Sequence, residues 1–125
     1  MIVIRNLTKL YSSGKDVVLA LDSLNFILPD KDIVFTIGKS GSGKSTLINM
    51  ISGLDDITSG EVIVDGLSIG KLTQRKLDEY HNNYLGIIYQ NHNFFNEETV
   101  LENILISNRI AKENKTPSEV NDMIY

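Results

Sequence analysis

The architecture of this chain follows from residues 38–46, which read Gly38-Lys39-Ser40-Gly41-Ser42-Gly43-Lys44-Ser45-Thr46. They match the phosphate-binding pattern G-x-x-x-x-G-K-[ST], in which glycines let successive backbone N–H groups point at one anion. A helix directly after such a loop adds a partial positive charge at its N-terminus. Lys44 would supply a full charge at the β- and γ-phosphates, and the Ser45 hydroxyl would ligate Mg²⁺. The loop therefore predicts nucleotide binding.

The residues on either side of this loop supply the context that the pattern requires. Residues 33–37 are a short, mostly apolar run that predicts a strand, and residues 47–51 are compatible with a helix. The pattern is confirmed only where it lies between a strand and a helix. This context disfavours the alternative, a chance match in a glycine-rich turn.

Composition limits the remaining function classes. The 125 residues are 42% hydrophobic, as expected of one globular domain, and they include no cysteine that could form a disulfide or a thiolate metal site. The sequence has no apolar run long enough to span a bilayer and no signal-peptide pattern, which favours the cytosol. The net charge is −4 without a basic block, so nucleic-acid binding is not suggested.

The residues before the loop predict β-structure. Residues 1–7 alternate as a first strand, and residues 8–16 are a polar turn region that holds one aromatic, Tyr11. Residues 17–28 contain two further apolar stretches, which end at the turn signal Pro29-Asp30.

The residues after the loop helix predict a hairpin and then a second strand candidate. Residues 61–64 and 67–69 flank Asp65-Gly66, a type I′ turn signal. Thr73 is an N-cap candidate for a short helix that ends near Tyr80. Residues 85–89 predict a buried strand with Gln90 at its C-terminal end.

Three further predictions concern the helix starts and the histidines. Thr99 with Glu102, and Thr116 with Glu119, are capping boxes that predict two helices. His81 and His92 lack metal-ligand spacing and are predicted to be surface residues.

Several of these stretches together resemble the N-terminal half of an ATP-binding-cassette (ABC) ATPase. They are the loop in its Ser-Gly-Ser-Gly-Lys-Ser-Thr form, Gly53-Leu54 with residues 58–66, the strand candidate at residues 86–90 and the stretch at residues 99–103. The resemblance spans essentially the whole chain and looks most like the ATPases of lipoprotein, macrolide or antimicrobial-peptide exporters. It implies an α/β fold, a partial P-loop NTPase core of ABC type with an N-terminal antiparallel β portion.

The resemblance also implies roles for individual residues. Tyr11 lies where the family places an aromatic that stacks on adenine, although it could be an ordinary turn-region tyrosine. Gln90 would contact Mg²⁺ and the attacking water and would link the nucleotide state to a membrane partner. Phe94 and Phe95 could form the face that receives the permease or could equally be core residues. Lys44 and Gln90 are thus the catalytic candidates, residues 38–46 with Tyr11 would bind ATP, and Ser45 with Gln90 would hold Mg²⁺.

The resemblance further implies how such a chain would act. Residues 1–125 would be the N-terminal part of an ABC ATPase domain, ending before the family's signature, second nucleotide motif and switch histidine. The protein would work in the cytoplasm, at the inner face of the membrane, with a permease subunit and a second cassette. Because this chain lacks the signature and the catalytic glutamate, it is expected to bind nucleotide at best and to hydrolyse ATP negligibly alone.

Three other readings remain open at this point. One is an ABC-type ATPase that acts on DNA ends or ribosomes, although the insertions usual in that class do not begin here. Another is a small P-loop kinase or GTPase, whose substrate-reading motifs are not apparent. The third is a short product with a binding or regulatory role of its own.

Overall fold

The computed structural model describes residues 1–90, 94–111, 113 and 115–124. The chain forms two compact units, residues 1–85 and 86–125. His92, for which a surface position is predicted, lies outside the described residues.

The first unit is built on a four-stranded antiparallel sheet. Its strands are β1 (Ile2–Ser13), β2 (Asp16–Leu28), β3 (Ser59–Val64) and β4 (Leu67–Ser68), in the spatial order β2-β1-β3-β4. The predicted turn region is wrong for residues 8–13, because β1 continues to Ser13 and pairs with β2 along this length. Tyr11 therefore stands on a strand, opposite Val18. The turn signal after residue 28 is confirmed, since β2 ends at Leu28.

The predicted hairpin between β3 and β4 is present. Asp65 has φ 48° and Gly66 has φ 84°, the left-handed conformations that a type I′ turn requires at both central positions. Val64 pairs with Leu67 across this turn. The sequence was sufficient to predict this turn, because the two left-handed conformations that it requires fall on the adjacent residues Asp65 and Gly66.

Two helices belong to the first unit, α1 (Lys44–Ser52) and α2 (Gln74–Tyr84), with a short 3₁₀ turn at Ile69–Lys71. Thr73 is the N-cap residue of α2, as predicted, but its side chain makes no capping hydrogen bond. The helix also runs four residues past the predicted end at Tyr80, to Tyr84. The core between sheet and helices consists of Ile4, Leu7, Leu21, Met50, Val62, Val64, Ile69 and Tyr80.

Helix α2 supplies hydrogen bonds to the last carbonyls of α1. The Tyr80 hydroxyl donates to the Ile51 carbonyl at 3.0 Å, and His81 Nε2 lies 2.8 Å from the Ser52 carbonyl. A carbonyl can only accept, so Nε2 carries the proton in this contact. The predicted surface role of His81 is therefore wrong: the ring is half-buried and satisfies a helix end that would otherwise lack partners.

The predicted strands at residues 33–37 and 85–89 are both wrong. Neither segment pairs with a strand of the described chain, and Ile37 is 92% exposed and Ile88 100% exposed. An apolar run becomes a strand only where a neighbouring strand accepts and donates its backbone hydrogen bonds. The described residues supply no such neighbour to either run.

The second unit consists of α3 (Val100–Ile110) and α4 (Pro117–Ile124) with their connecting segments. Both predicted capping boxes are present. In the first, the Thr99 hydroxyl accepts from the Glu102 amide, and Glu102 accepts from the Thr99 amide in return. Thr116 and Glu119 repeat the arrangement at the start of α4. Among the described residues, no helix is long and apolar enough to cross a membrane.

Candidate functional site

Residues 38–46 form a tight loop that leads into α1. Gly41 has φ 75° and Gly43 has φ 86°, so both adopt left-handed conformations that other residues disfavour. A Cβ atom on Gly43 would lie 2.5 Å from the Ala20 carbonyl oxygen, closer than atoms can approach. Only glycine therefore lets the loop pack this closely against β2.

The Lys44 side chain turns back over the loop. Its ammonium donates to the carbonyl oxygens of Gly38 at 2.9 Å and of Lys39 at 2.6 Å. The Ser42 hydroxyl lies 3.4 Å from the same nitrogen. The loop thus carries the positive charge of the Lys44 ammonium. Hydrogen bonds to the loop's own carbonyl oxygens hold this ammonium, and bonds to an anion could replace them.

Helix α1 begins beside this charge with its amide donors free. Its N-cap residue is Gly43, which has no side chain to accept from the first turn. The first N–H groups of a helix have no partner within the helix, so those of Lys44, Ser45 and Thr46 remain available. Together with the Lys44 ammonium they are donors of the kind that anions bind at a helix N-terminus.

The loop lines one side of a cavity of about 310 Å³. The lining also includes Tyr11, Val18 and Leu19 from the hairpin of β1 and β2. A cavity lined by cationic and amide donors from the loop, and by aromatic and aliphatic groups from the hairpin, fits a ligand with a phosphate end and a planar end. The remaining lining residues are Ala20, Gly41, Ser42, Gly43, Lys44, Ser45 and Thr46.

Tyr11 is fixed at the rim of this cavity by two neighbours. Its hydroxyl donates to Asp55 Oδ2 at 2.8 Å, and the Lys9 ammonium lies 4.7 Å from the centre of its ring. The Lys9 ammonium, helped by the Tyr11 hydroxyl and the Asp56 amide, holds the pKa of Asp55 below its ordinary value. Asp55 is therefore an anion at neutral pH and a permanent acceptor for both neighbours.

The two residues expected to hold Mg²⁺ lie in different units, Ser45 in the first and Gln90 in the second. Ser45 lines the cavity, and its exposed hydroxyl makes no hydrogen bond within the described chain. A hydroxyl oxygen suits Mg²⁺, which prefers few protein ligands and completes its shell with water and phosphate. Gln90 belongs to the second unit, where its side chain is exposed. No group of three or more acidic or histidine side chains that could hold a metal occurs among the described residues.

In the second unit, Phe94 and Phe95 lie on the surface and not in a core. Phe94 is 64% exposed and Phe95 is 59% exposed. With Val100 and Ile104 they line an apolar cavity of about 420 Å³. Of the two roles that the sequence left open, the core role is wrong.

Comparison with known proteins places this geometry in a family. The family model described as ABC transporter matches residues 21–124. The chain belongs to the ABC transporter family. The match includes the whole of the phosphate loop and both helices of the second unit, so it covers the cationic side of the cavity.

Two curated relatives in the ABC transporter family are lipoprotein-releasing system ATP-binding proteins LolD. The protein of Treponema denticola is 35% identical over 92% of this chain and 51% of its own length. That of Buchnera aphidicola is 39% identical over 86% of this chain and 47% of its own length. The chain thus spans about half the length of the curated relatives it matches.

Solved ABC structures confirm the predicted fold class. The dimeric structure of a post-hydrolysis state of the ATP-binding cassette MJ0796, bound to ADP and Pi, matches with a TM-score of 0.86 at 28% identity. That match covers 98% of this chain and 55% of the other. A second dimeric structure of MJ0796 gives a TM-score of 0.79 at 35% identity, over 85% of this chain and 46% of the other.

Lys9 and Asp55 are the site residues that the sequence did not reveal. Lys9 stands two positions before Tyr11 on the same strand, so the period of two places both side chains on one face. That spacing was the available signal. Asp55 gave none, because it lies 46 residues from Lys9 and meets it only in the folded chain.

Proposed function

We propose that this chain binds MgATP through residues 38–46 and forms the N-terminal part of the ATP-binding subunit of an ABC transporter. The observation that carries the proposal is a single cavity that is lined both by Lys44 and the first turn of α1 and by Tyr11 and Leu19. A nucleoside triphosphate has the matching polarity, with anionic oxygens at one end and a planar base at the other.

Nucleotide binding in this site would replace hydrogen bonds of the Lys44 ammonium and would leave its charge paired. Lys44 would give up its bonds to the Gly38 and Lys39 carbonyls and donate to the β- and γ-phosphates instead. The amides of the first turn of α1 would donate to the same anion, and Ser45 would offer its hydroxyl to Mg²⁺. Tyr11 would stack on the base. Each of these groups already lines the cavity.

Hydrolysis of ATP requires groups beyond the residues that line the cavity. Phosphoryl transfer to water depends on a group that positions the water and on donors that neutralise the transition-state charge. We assign the water contact and a Mg²⁺ contact to Gln90. The family's signature and catalytic glutamate do not occur in these residues. We therefore expect the 125-residue chain to release phosphate negligibly by itself.

The partners in this proposal are a membrane permease and a second cassette. The exposed pair Phe94 and Phe95, beside an apolar cavity of about 420 Å³, offers a surface on which a short permease helix could dock. The LolD relatives are named for a lipoprotein-releasing system, and both MJ0796 structures are described as dimeric. These names support an exporter subunit that works at the cytoplasmic face of the membrane.

Calorimetric titration with MgATP tests the proposal. We expect the wild-type chain to bind MgATP and the Lys44→Ala variant to lose at least about tenfold in affinity, as for a charge-assisted contact to phosphate. Lys76→Ala is the matched control, because Lys76 is an exposed lysine of α2, far along the chain from the loop. Equal affinities of wild type and Lys44→Ala would contradict the site. Phosphate release comparable to that of a complete cassette, and lost in Lys44→Ala, would contradict the expected inactivity.

A further inference from the structure

Tyr11 is the aromatic residue in the cavity lining. Two contacts restrain its ring, although the residue is partly exposed on its strand. The ring is 38% exposed, yet two separate groups restrain it. The Tyr11 hydroxyl donates to Asp55 Oδ2 at 2.8 Å, and the Lys9 ammonium lies 4.7 Å from the ring centre. To rotate away from the cavity, the ring would have to lose both contacts.

Lys9 is the buried part of this arrangement. The residue is only 6% exposed, and its ammonium donates to Asp55 Oδ1 at 2.7 Å and to the Asp56 carbonyl at 2.6 Å. A buried lysine is tolerated only where its charge is paired and hydrogen-bonded. Lys9 therefore has a fixed position, unlike a lysine at the surface, and so does the contact with the Tyr11 ring.

Asp55 links this cluster to the phosphate side of the cavity. It follows Gly53, the C-cap residue of α1, while the N-terminus of the same helix is formed by Lys44. Helix α1 is therefore connected to the ring at both ends: its first turn shares the cavity with Tyr11, and the residues after its last turn bind the Tyr11 hydroxyl. Helix α1 therefore links the phosphate loop to the acceptor of the Tyr11 hydroxyl.

We propose that Lys9 and Asp55 are positioning residues that hold the Tyr11 ring ready for the base of the bound nucleotide. This inference rests on the function proposed above. The Lys9 ammonium lies over one face of the Tyr11 ring, which leaves the other face for a planar ligand, and Tyr11 lines the cavity. Because the ring is fixed before binding, its rotamer entropy is not lost on binding. Lys9 and Asp55 are not among the residues that line the cavity, so their role is to position the ring and not to contact the nucleotide.

The contribution of the pair is measured by comparing two probes on the full chain. MgATP carries a base and a triphosphate, whereas inorganic tripolyphosphate with Mg²⁺ carries only the phosphates. We expect Asp55→Ala and Lys9→Met each to weaken MgATP binding roughly three- to tenfold, the range for mobilising one side chain. Affinity for tripolyphosphate should not change. Tyr11→Ala should weaken MgATP alone, about tenfold or more.

Two further variants separate positioning from general damage. Asp56→Ala is the matched control for Asp55→Ala, because Asp56 offers Lys9 its carbonyl and makes no side-chain hydrogen bond in the described chain. We expect Asp56→Ala to bind both probes like the wild type. Tyr11→Phe keeps the ring over Lys9 and removes only the bond to Asp55, so its loss should be smaller than that of Tyr11→Ala.

The outcomes distinguish this inference from the proposed function. If Lys44→Ala weakens both probes and Tyr11→Ala weakens MgATP alone, while Asp55→Ala and Lys9→Met bind like the wild type, the positioning role is refuted and the site stands. Equal losses for both probes in Asp55→Ala and Lys9→Met would also refute it, as a merely structural effect. A wild-type chain that binds neither probe contradicts both proposals.

Discussion

At the scale of single residues, the loop depends on glycine for two different physical reasons. Gly41 and Gly43 both have positive φ, but a Cβ on Gly41 would meet nothing within 4 Å, whereas one on Gly43 would meet the Ala20 carbonyl oxygen. We expect Gly41→Ala to lower the free energy of unfolding by about 1–2 kcal/mol, the cost of a left-handed backbone. Gly43→Ala should cost clearly more. Urea denaturation compares them, and equal costs would contradict the packing of the loop against β2.

Asp55 gives the first unit a defined dependence on pH. The hydrogen bond from the Lys9 ammonium is the main reason that its folded-state pKa lies below the ordinary value. The stabilisation is therefore present above the ordinary carboxyl range and is lost as the pH falls through the folded-state pKa. We expect the free energy of unfolding to fall less steeply on acidification in Asp55→Asn than in wild type. Asp56→Asn, the control, should keep the wild-type slope, and identical slopes for all three would contradict the prediction.

The helix that follows residues 38–46 was predictable from the sequence, and the position of Tyr11 was predictable only in part. The loop is a local pattern, since every residue that it needs lies within residues 38–46. Tyr11 was identified as the aromatic candidate, but on a turn and not on the strand that it occupies. Its anchor, Asp55, lies 44 residues away, and such tertiary pairing leaves no mark on a single sequence.

At the scale of secondary-structure elements, helix starts were predicted better than strands. Capping signals are local, because Thr99 and Glu102 satisfy each other's amides within one turn. Strands depend on partners that lie far away along the chain, which explains the incorrect predictions at residues 33–37 and 85–89. Both runs are apolar enough to be strands, but the described residues supply no neighbouring strand to pair with either.

The capping box should contribute measurably to α3. Thr99→Ala removes an N-cap acceptor that the structure shows in use, which typically costs about 1 kcal/mol. Thr73→Ala removes a threonine at the N-cap of α2 whose side chain makes no capping bond, so it should cost much less. Amide hydrogen exchange in the first turns of α3 and α2 measures both effects. The assignment would be contradicted if Thr73→Ala accelerated exchange in α2, relative to the wild type, more than Thr99→Ala accelerated it in α3.

The contact between α2 and the end of α1 is a second test at this scale. Tyr80 is 1% exposed, and its hydroxyl satisfies the Ile51 carbonyl. We expect Tyr80→Phe to lower the free energy of unfolding by about 1 kcal/mol, because it leaves that carbonyl without its donor while keeping the ring. Tyr84→Phe is the control, since Tyr84 is 56% exposed and makes no hydroxyl hydrogen bond within the described chain. Urea denaturation measures the free energy of unfolding of both variants. Equal losses in Tyr80→Phe and Tyr84→Phe would show that the hydrogen bond to the Ile51 carbonyl does not contribute.

At the scale of the whole molecule, the chain exposes an unusual amount of apolar surface. Phe35 is 81% exposed, Ile33 79%, Ile37 92% and Ile88 100%, and all four lie in runs that the sequence predicts as strands. Apolar segments with free backbone donors and acceptors tend to pair with other chains. We expect the 125-residue chain to self-associate or to be poorly soluble. A sharp monomer peak by light scattering at high concentration would contradict this.

The most direct test of the central claim is to locate the bound phosphates on the chain by amide NMR. On addition of MgATP, we expect the largest shifts of backbone N–H signals at residues 41–46, with a smaller change in the Tyr11 ring signals. Lys44→Ala should remove both changes at the same ligand concentration. Shifts concentrated outside this cavity, or shifts that persist unchanged in Lys44→Ala, would show that residues 38–46 are not the phosphate site.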